Sequence, residues 1–494
     1  MVDVLVLTPP RSAAMRKMIS KSYPGYASVD SVPLRAAQVL EDGGFTVGFL
    51  PLYNLVDNFS AREDTKDITK FLSQYDSDVV LQINDYYIRS RSITSYNPSL
   101  YVAHLIKEIN PNCRVILAGG HVSALGHTVF QDSGHIDVVA LYEVEQILCD
   151  LVENLQQGKP LEEIKGIIYR ENNIIKETGG YGTVENLDVL PVPAYHLLRP
   201  WIEKIPERTG RASGLVDLTL RTGYGCVNRC AFCAGTPNWN FCRFRSAEKV
   251  AEDLEYAKEE LKGKKIIFSY FDDENMNIDA DHLTAISRMM QERDIYVEGV
   301  LANIPNFTKE VAEEISKFST SVLTGGENAV DSVLSVINKK QTFDKVRKAC
   351  KIAKEFNLGV TLQWIIGLPG EDTRTMAVNL NAIFSMLMKG EVKSISPGIL
   401  RPQPGSDIGE HPDKYGITIH HKDWSQYHSK GGYPAFSTKT LSREQIFTYY
   451  LMAELVAAEA SQIRGVYEKH DVEPIVWGPE TKFFTEFMQQ VGSA

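Results

Sequence analysis

No run of about 18 or more apolar residues occurs in the 494-residue chain, so nothing in it is expected to span a membrane. Positive charge is short as well. Lys and Arg number 52 against 63 Asp and Glu, and the net charge of −11 argues against a nucleic-acid-binding surface as the main business. The start, from Met1 to Pro10, lacks the basic region and longer apolar stretch of a secretory signal. Cysteine is scarce: seven residues in a chain this long make no disulfide framework, and the odd number fits a reducing cytoplasm. None follows Cys350, which excludes a second cysteine-ligated cluster near the C-terminus. A cytoplasmic protein without membrane or nucleic-acid partners is expected, long enough for two or three domains.

The cysteines that are present are unevenly spread. Cys226, Cys230 and Cys233 fall within eight residues, in the run Cys226-Val227-Asn228-Arg229-Cys230-Ala231-Phe232-Cys233. Thiolates are the ligands of iron–sulfur clusters, and a cubane needs four ligands. Three bunched cysteines can hold three irons and leave the fourth open to another molecule. A closed zinc site would need a fourth N or S ligand, and no matching second pair follows. Cys242 is read as a small residue near the cluster, with a ligand or reactive-thiol role as the alternative. Cys113, Cys149 and Cys350 lie in apolar patterns and are read as packing residues.

Residues 1 to 155 alternate strand and helix signals. Apolar runs at Val4–Leu7, Phe45–Leu50, Asp78–Ile83, Arg114–Ala118 and Asp137–Leu141 are separated by helical segments such as Val32–Leu40 and Leu100–Ile109. That alternation predicts a doubly wound parallel sheet, with ligands bound beyond the carboxyl ends of its strands. Residues 156–205 read as a connector, with a hairpin around Glu171-Asn172-Asn173 and a break at Leu190-Pro191-Val192-Pro193.

A second series runs through residues 206–410. Strands are expected at Leu215–Leu220, Lys265–Phe271, Ile295–Val300, Ser321–Thr324, Val360–Ile366 and Ser394–Pro397, with Ser246 capping a helix through Lys258. Six strands, each apart from the last followed by a helix, make an open or partial (β/α)6 barrel, whose active site belongs at the carboxyl ends of the strands, where the cysteine loop lies. Residues 411–494 form a third, mainly α piece with a helix from Ser442 to Ile463. His420, His421 and His428 have no metal-ligand spacing and are read as surface or cap positions.

On these motifs the chain resembles the radical S-adenosylmethionine (SAM) superfamily over about residues 1–410, and more narrowly its cobalamin-dependent class. The resemblance implies a [4Fe–4S] cluster held by Cys226, Cys230 and Cys233, with SAM chelating the open iron. Phe232 matches the aromatic whose backbone reaches the adenine. Asp273 and Glu274 match the second-strand motif that grips the SAM ammonium, which needs carboxylate or carbonyl acceptors. Gly325-Gly326-Glu327 is similar to a ribose motif, with Asn328 where serine is usual. Gln363 and Gly367 fall in the fifth-strand segment beside adenine, which ends in Gly367-Leu368-Pro369-Gly370-Glu371. Arg401-Pro402-Gln403-Pro404-Gly405-Ser406 resembles the segment that closes the barrel.

In the first 155 residues, Pro9-Pro10, Gly119-Gly120-His121 and the pair Glu143 and Glu145 resemble a Rossmann-like cobalamin-binding domain. Tyr142 and Val144 depart from it, standing where the family has glycine. The chain lacks the Asp-x-His-x-x-Gly motif of cobalamin mutases, so no histidine is assigned as a lower cobalt ligand, and His121 is expected at the corrin edge. The resemblance implies a methyltransferase that generates a 5′-deoxyadenosyl radical and moves a methyl group from methylcobalamin to an unactivated carbon. A cyclase or rearranging enzyme with the same domains is the alternative. A small-molecule or peptide substrate and a one-electron reductant of flavodoxin or ferredoxin type are the implied partners. Trp364, Tyr224, Trp239 and Trp424 are candidate lining residues, although aromatics at strand ends are more often core.

Overall fold

The computed structural model describes residues 2–10, 27–56, 59–84, 89–180, 182–205, 215–235, 242–268, 271 and 273–464. Trp239 lies outside them, as do Asp85 to Tyr87 and the last thirty residues or so of the expected C-terminal piece.

Val2–Thr8 pairs in parallel with Val47–Pro51 on one side and Ser77–Ile83 on the other, and Arg114–Ala118 and Val138–Ala140 continue the sheet in parallel. Val4 to Leu7 and Val115 to Ala118 are buried without a break, because helices cover both faces of the sheet. The hairpin Ile167–Glu171 and Ile174–Glu177 then adds two antiparallel strands, making seven in all. Asn172 and Asn173 carry φ of +49° and +63°, the left-handed pair that a two-residue hairpin turn demands. The segment read as a connector thus begins as part of the first sheet.

Six further parallel strands follow: Leu215–Thr219, Lys265–Ile267, Val300–Leu301, Ser321–Glu327, Gly359–Ile366 and Ser394–Ile399. The Glu298 N–H, donating to the Phe268 carbonyl, links the first two to the last four. The strand expected at Ile295–Val300 starts where that run ends. Ile295 closes the turn after the helix Ala280–Glu292, donating to the Met290 carbonyl beside Asp294 at φ +50°. Ile295 and Val297 are both buried, and Val297 pairs only through an isolated parallel bridge to Ser319, outside the named strand. Ala27–Asp30, from the N-terminal part of the chain, pairs in parallel with Leu215–Thr219 and adds an outer strand to this series.

Two buried ionic links also join the halves. Arg35 and Arg245 share Asp253 at 2.8 and 3.0 Å, and Arg243 clasps Glu143. Ser246 caps the helix Ala247–Glu260, and Ser442 caps Arg443–Ile463 through a capping box with Gln445. The latter helix packs on the helix Thr373–Met388 and on the last barrel strand. Beside it lie a two-stranded antiparallel pair, Ile417–Ile419 with Phe436–Thr438, and a short turn at Trp424–Gln426 against the helix Arg89–Ile109. His420 is exposed, but His428 is buried, against the surface position expected for it. Among the described residues no helix is long and apolar enough to cross a membrane.

Candidate active site

The barrel strands end around one cavity of about 520 Å³. Four of the six strand ends contribute a candidate site residue that the sequence pattern singles out. Cys226, Cys230, Phe232 and Cys233 come from the loop after the first strand, Asp273 and Glu274 from the second, Gly325 and Glu327 from the fourth, and Gln363 from the fifth. Trp364 also lines it, whereas Tyr224 is buried elsewhere and Trp424 packs on His121. Gly326 and Gly367 do not line it. Gly367, at φ +89°, faces Phe436 and Ile446, which a Cβ would meet at 2.9 and 3.0 Å.

The cysteine loop is braced by its backbone. The Ala231 N–H donates to the Ile337 carbonyl and its own carbonyl accepts from Ile408 N–H, both at 2.9 Å, while Asn338 Nδ2 donates to the Arg229 carbonyl at 2.7 Å. Asn275 Nδ2 lies 3.1 Å from Cys226 Sγ, and the Gly235 N–H lies 3.4 Å from Cys233 Sγ. Burial pushes the Cys230 thiol up to about 12 and raises that of Cys226. Among the described residues no three His, Cys, Asp or Glu side chains are gathered to hold a single metal ion; the three thiols lie along a cavity wall instead.

The acids of the cavity are all engaged. Asp273 accepts from the Thr222 and Gly223 N–H groups at 2.7 and 2.9 Å and from Thr222 Oγ1, which fixes the strand end before the loop. Glu274 accepts from Arg221 Nη1 and the Gly225 N–H, both at 3.2 Å. Glu327 accepts from Lys339 Nζ at 2.8 Å. Gln341 Nε2 donates to the carbonyls of Gly325 and Gly326 at 2.8 and 3.3 Å and so holds that turn. Asn328, the departure from serine, donates to Glu371 at 2.6 Å; Glu371 also takes the Gly367 and Leu368 N–H groups. Asn328 therefore builds the turn from behind. Lys339 and Gln341 are contributors that nothing local in the sequence marks, whereas Asn275 directly follows the Asp273-Glu274 pair and its contact with Cys226 is what the motif does not reveal.

The N-terminal candidates gather elsewhere. Pro9 and Pro10 end the first strand, and both are buried. Gly119 has φ +133°, and a Cβ there would sit 1.7 Å from the Asn84 carbonyl oxygen. Gly120 opens the short helix Gly120–Leu125, and buried His121 stands edge-on to Tyr96 and Trp424 at 5.3 and 5.1 Å. Burial, with Arg401 nearby, pushes the His121 imidazole down to about 3. Tyr142 takes φ +59°, the conformation for which glycine is favoured, and its N–H donates to Ser123 Oγ at 2.8 Å. Glu143 is spent within the protein, on Arg243 and on the Val184 N–H at 2.7 Å. Thr8 Oγ1 and Asn84 Nδ2, at the carboxyl ends of their strands, are buried without a hydrogen-bond partner among the described residues. Such atoms fit a polar ligand at that edge. Cys113 and Cys350 are buried, while Cys149 and Cys242 are half-buried, and none of the four lines the cavity.

Residues 220–381 match the Radical SAM superfamily. An uncharacterized methyltransferase of Pyrococcus horikoshii is 24% identical over 487 residues, 95% of each chain. An anaerobic magnesium-protoporphyrin IX monomethyl ester cyclase of Cereibacter sphaeroides is 24% identical over 298 residues, 57% of this chain and 47% of that one. Among solved structures, the radical S-adenosylmethionine methyltransferase TsrM from Kitasatospora setae, with cobalamin and a [4Fe–4S] cluster bound, superposes with a TM-score of 0.67. That likeness carries 15% identity, covers 94% of this chain and 90% of that one, and shows a shared fold.

Proposed function

We propose, from the radical SAM domain that this chain carries over residues 220–381, that the protein is a cobalamin-dependent radical SAM methyltransferase. The observation that carries the reading is the cavity in which Cys226, Cys230, Cys233, Asp273, Glu274, Glu327 and Gln363 meet from separate strand ends. The donor set suits the groups in question. Three thiols along one wall, two with N–H donors nearby, match a cluster with one iron left to a small ligand. The orphaned Thr8 Oγ1 and Asn84 Nδ2 suit a polar cofactor over the first sheet.

When bound, cluster, SAM and methylcobalamin would supply the electron, the radical and the methyl group, and the protein supplies position and shelter. Its residues divide that work. Cys226, Cys230 and Cys233 hold the cluster. Glu274 and Glu327 face the cavity as acceptors for a ligand ammonium or hydroxyl, each poised by a cation that it already touches. Asp273 acts at one remove, by fixing Thr222 and Gly223. Trp364, Ile365, Leu301 and Leu400 make the apolar wall that excludes water.

The cyclase of Cereibacter sphaeroides among the relatives favours a second reading, cyclisation or rearrangement without methyl transfer. One experiment separates them. Anaerobically reconstituted protein is given methyl-labelled SAM, a one-electron reductant and a metabolite extract. Label in an extract compound supports methyl transfer. Formation of 5′-deoxyadenosine with no label in any product favours the second reading, and absence of SAM cleavage with an intact cluster sinks both.

A further inference from the structure

Among the described residues, the cavity wall holds one cation with a buried nitrogen that no acid answers. Arg401 follows the last barrel strand and lines the cavity, and its Nη1 is buried without a hydrogen-bond partner among the described residues. Arg221 has Glu274, Lys339 has Glu327, Lys430 has Glu454 at 3.9 Å, and Lys340 is exposed to solvent. Arg401 has no ionic partner among the described residues. The three acids on the wall cannot serve it: Asp273 is spent on Thr222 and Gly223, and Glu274 and Glu327 on their own cations. A guanidinium held in a largely dry wall without an anion costs stability. Burial alone pulls its pKa down to about 10.

Its location separates it from the cysteine end. The cation that the Cys226 and Cys230 thiols feel is Lys339, whereas His121 and His428 feel Arg401. Arg401 therefore lies toward the first sheet, near His121 at its carboxyl edge. Two residues on in the chain, buried Gln403 lines the same cavity, and its Oε1, an acceptor, has no hydrogen-bond partner among the described residues.

We propose that the substrate carries a carboxylate or phosphate, and that Arg401 binds this oxyanion at the end of the cavity facing the N-terminal sheet. The inference rests on reading the cavity as the reaction chamber. A planar guanidinium suits either anion through paired, charge-assisted hydrogen bonds, and Gln403 then accepts from a neighbouring N–H or O–H of the same molecule.

The test uses reconstituted full-length protein and three probes of one shape: benzoate, phenyl phosphate and neutral benzamide. Their affinities are read by saturation-transfer NMR, without turnover. The expected result is that benzoate or phenyl phosphate binds at least about tenfold more tightly than benzamide, a preference of the size that a buried charge-assisted pair provides. Arg401→Gln brings the preference to within about twofold, and Arg401→Lys recovers part of it. Benzoate ahead of phenyl phosphate, or the reverse, says which anion the substrate bears. No preference in the wild type, or one that survives in Arg401→Gln, overturns the proposal. A fall in SAM affinity in Arg401→Gln as large as the fall in anion affinity also overturns it, by assigning the guanidinium to the SAM carboxylate. Iron and sulfide contents are measured on the same samples, so failure of the cluster reading is seen apart from failure of the anion site.

Discussion

Lys339 Nζ lies 2.8 Å from Glu327 Oε1, and Glu327 itself is held at φ +60°. A left-handed glutamate costs about 1 kcal/mol or more, so the turn exists because its surroundings hold it. The ammonium is one clamp and Gln341, on the carbonyls of Gly325 and Gly326, is the other. Lys339→Met should therefore leave a buried carboxylate unanswered and cost about 2–3 kcal/mol in urea unfolding. SAM affinity should fall in the same variant, and Lys339→Arg should restore part of both. An unchanged urea midpoint in Lys339→Met would show that the pair does not hold the turn.

Replacing Cys226, Cys230 and Cys233 together with alanine should abolish iron incorporation and SAM cleavage. The carboxyl edge of the first sheet lies in other residues, so corrin binding, followed by its absorption spectrum, should survive. SAM cleavage by the triple variant would mean that the loop does not hold the cluster.

Glu145 sets a pH dependence. Its carboxyl is buried with Oε2 unpartnered, and burial, assisted by Glu143, raises it from 4.5 to about 7. Between those values the folded chain binds more protons than the unfolded one, so stability falls as pH rises through the window. The loss approaches on the order of 3 kcal/mol above pH 7. Glu145→Gln should flatten this slope and exceed the wild type in stability at pH 8. Urea midpoints at pH 5 and pH 8 for both proteins decide it; parallel slopes would reject a protonated Glu145.

Glu143 and Arg243 meet in two contacts, at 2.5 and 2.8 Å, with side chains only 3% and 6% exposed. Arg243→Met should cost about 3–5 kcal/mol, because it strands the glutamate, whereas the double change Glu143→Gln with Arg243→Met should cost less than the sum of the two single ones. A double-mutant cycle in urea measures the coupling. Simple additivity would show that the bridge does not hold the two parts together.

What the sequence declared was local. Ser246 and Ser442 announce their helices within three residues, Asn172-Asn173 writes its own turn, and the buried strands of the first sheet show as unbroken apolar runs. The cysteine loop and the strand-end acids were legible because each is a short motif on a strand end. Pairings across the chain left no such trace. Glu143 looked like a cofactor contact, yet its partner stands a hundred residues away. Lys339 and Gln341 follow no motif, and they matter only because the helix Asp331–Val336 delivers them beside Glu327. His428 reads as a polar residue in a loop, and only packing reveals it as buried. That no acid among the described residues meets Arg401 is likewise visible only in the folded chain.

The pairing of Ala27–Asp30 with Leu215–Thr219 bears on how such a molecule can be divided. A fragment beginning after residue 205 would carry every cluster cysteine and every acid of the cavity. It would also present the first barrel strand with one side bare, an open edge ready to recruit another chain. The complementary fragment would carry a short strand with nothing to pair with. Cutting the gene between the two halves should therefore yield an aggregating catalytic piece, and co-expressing the halves, or retaining residues 27–30 on the second, should return it to solution.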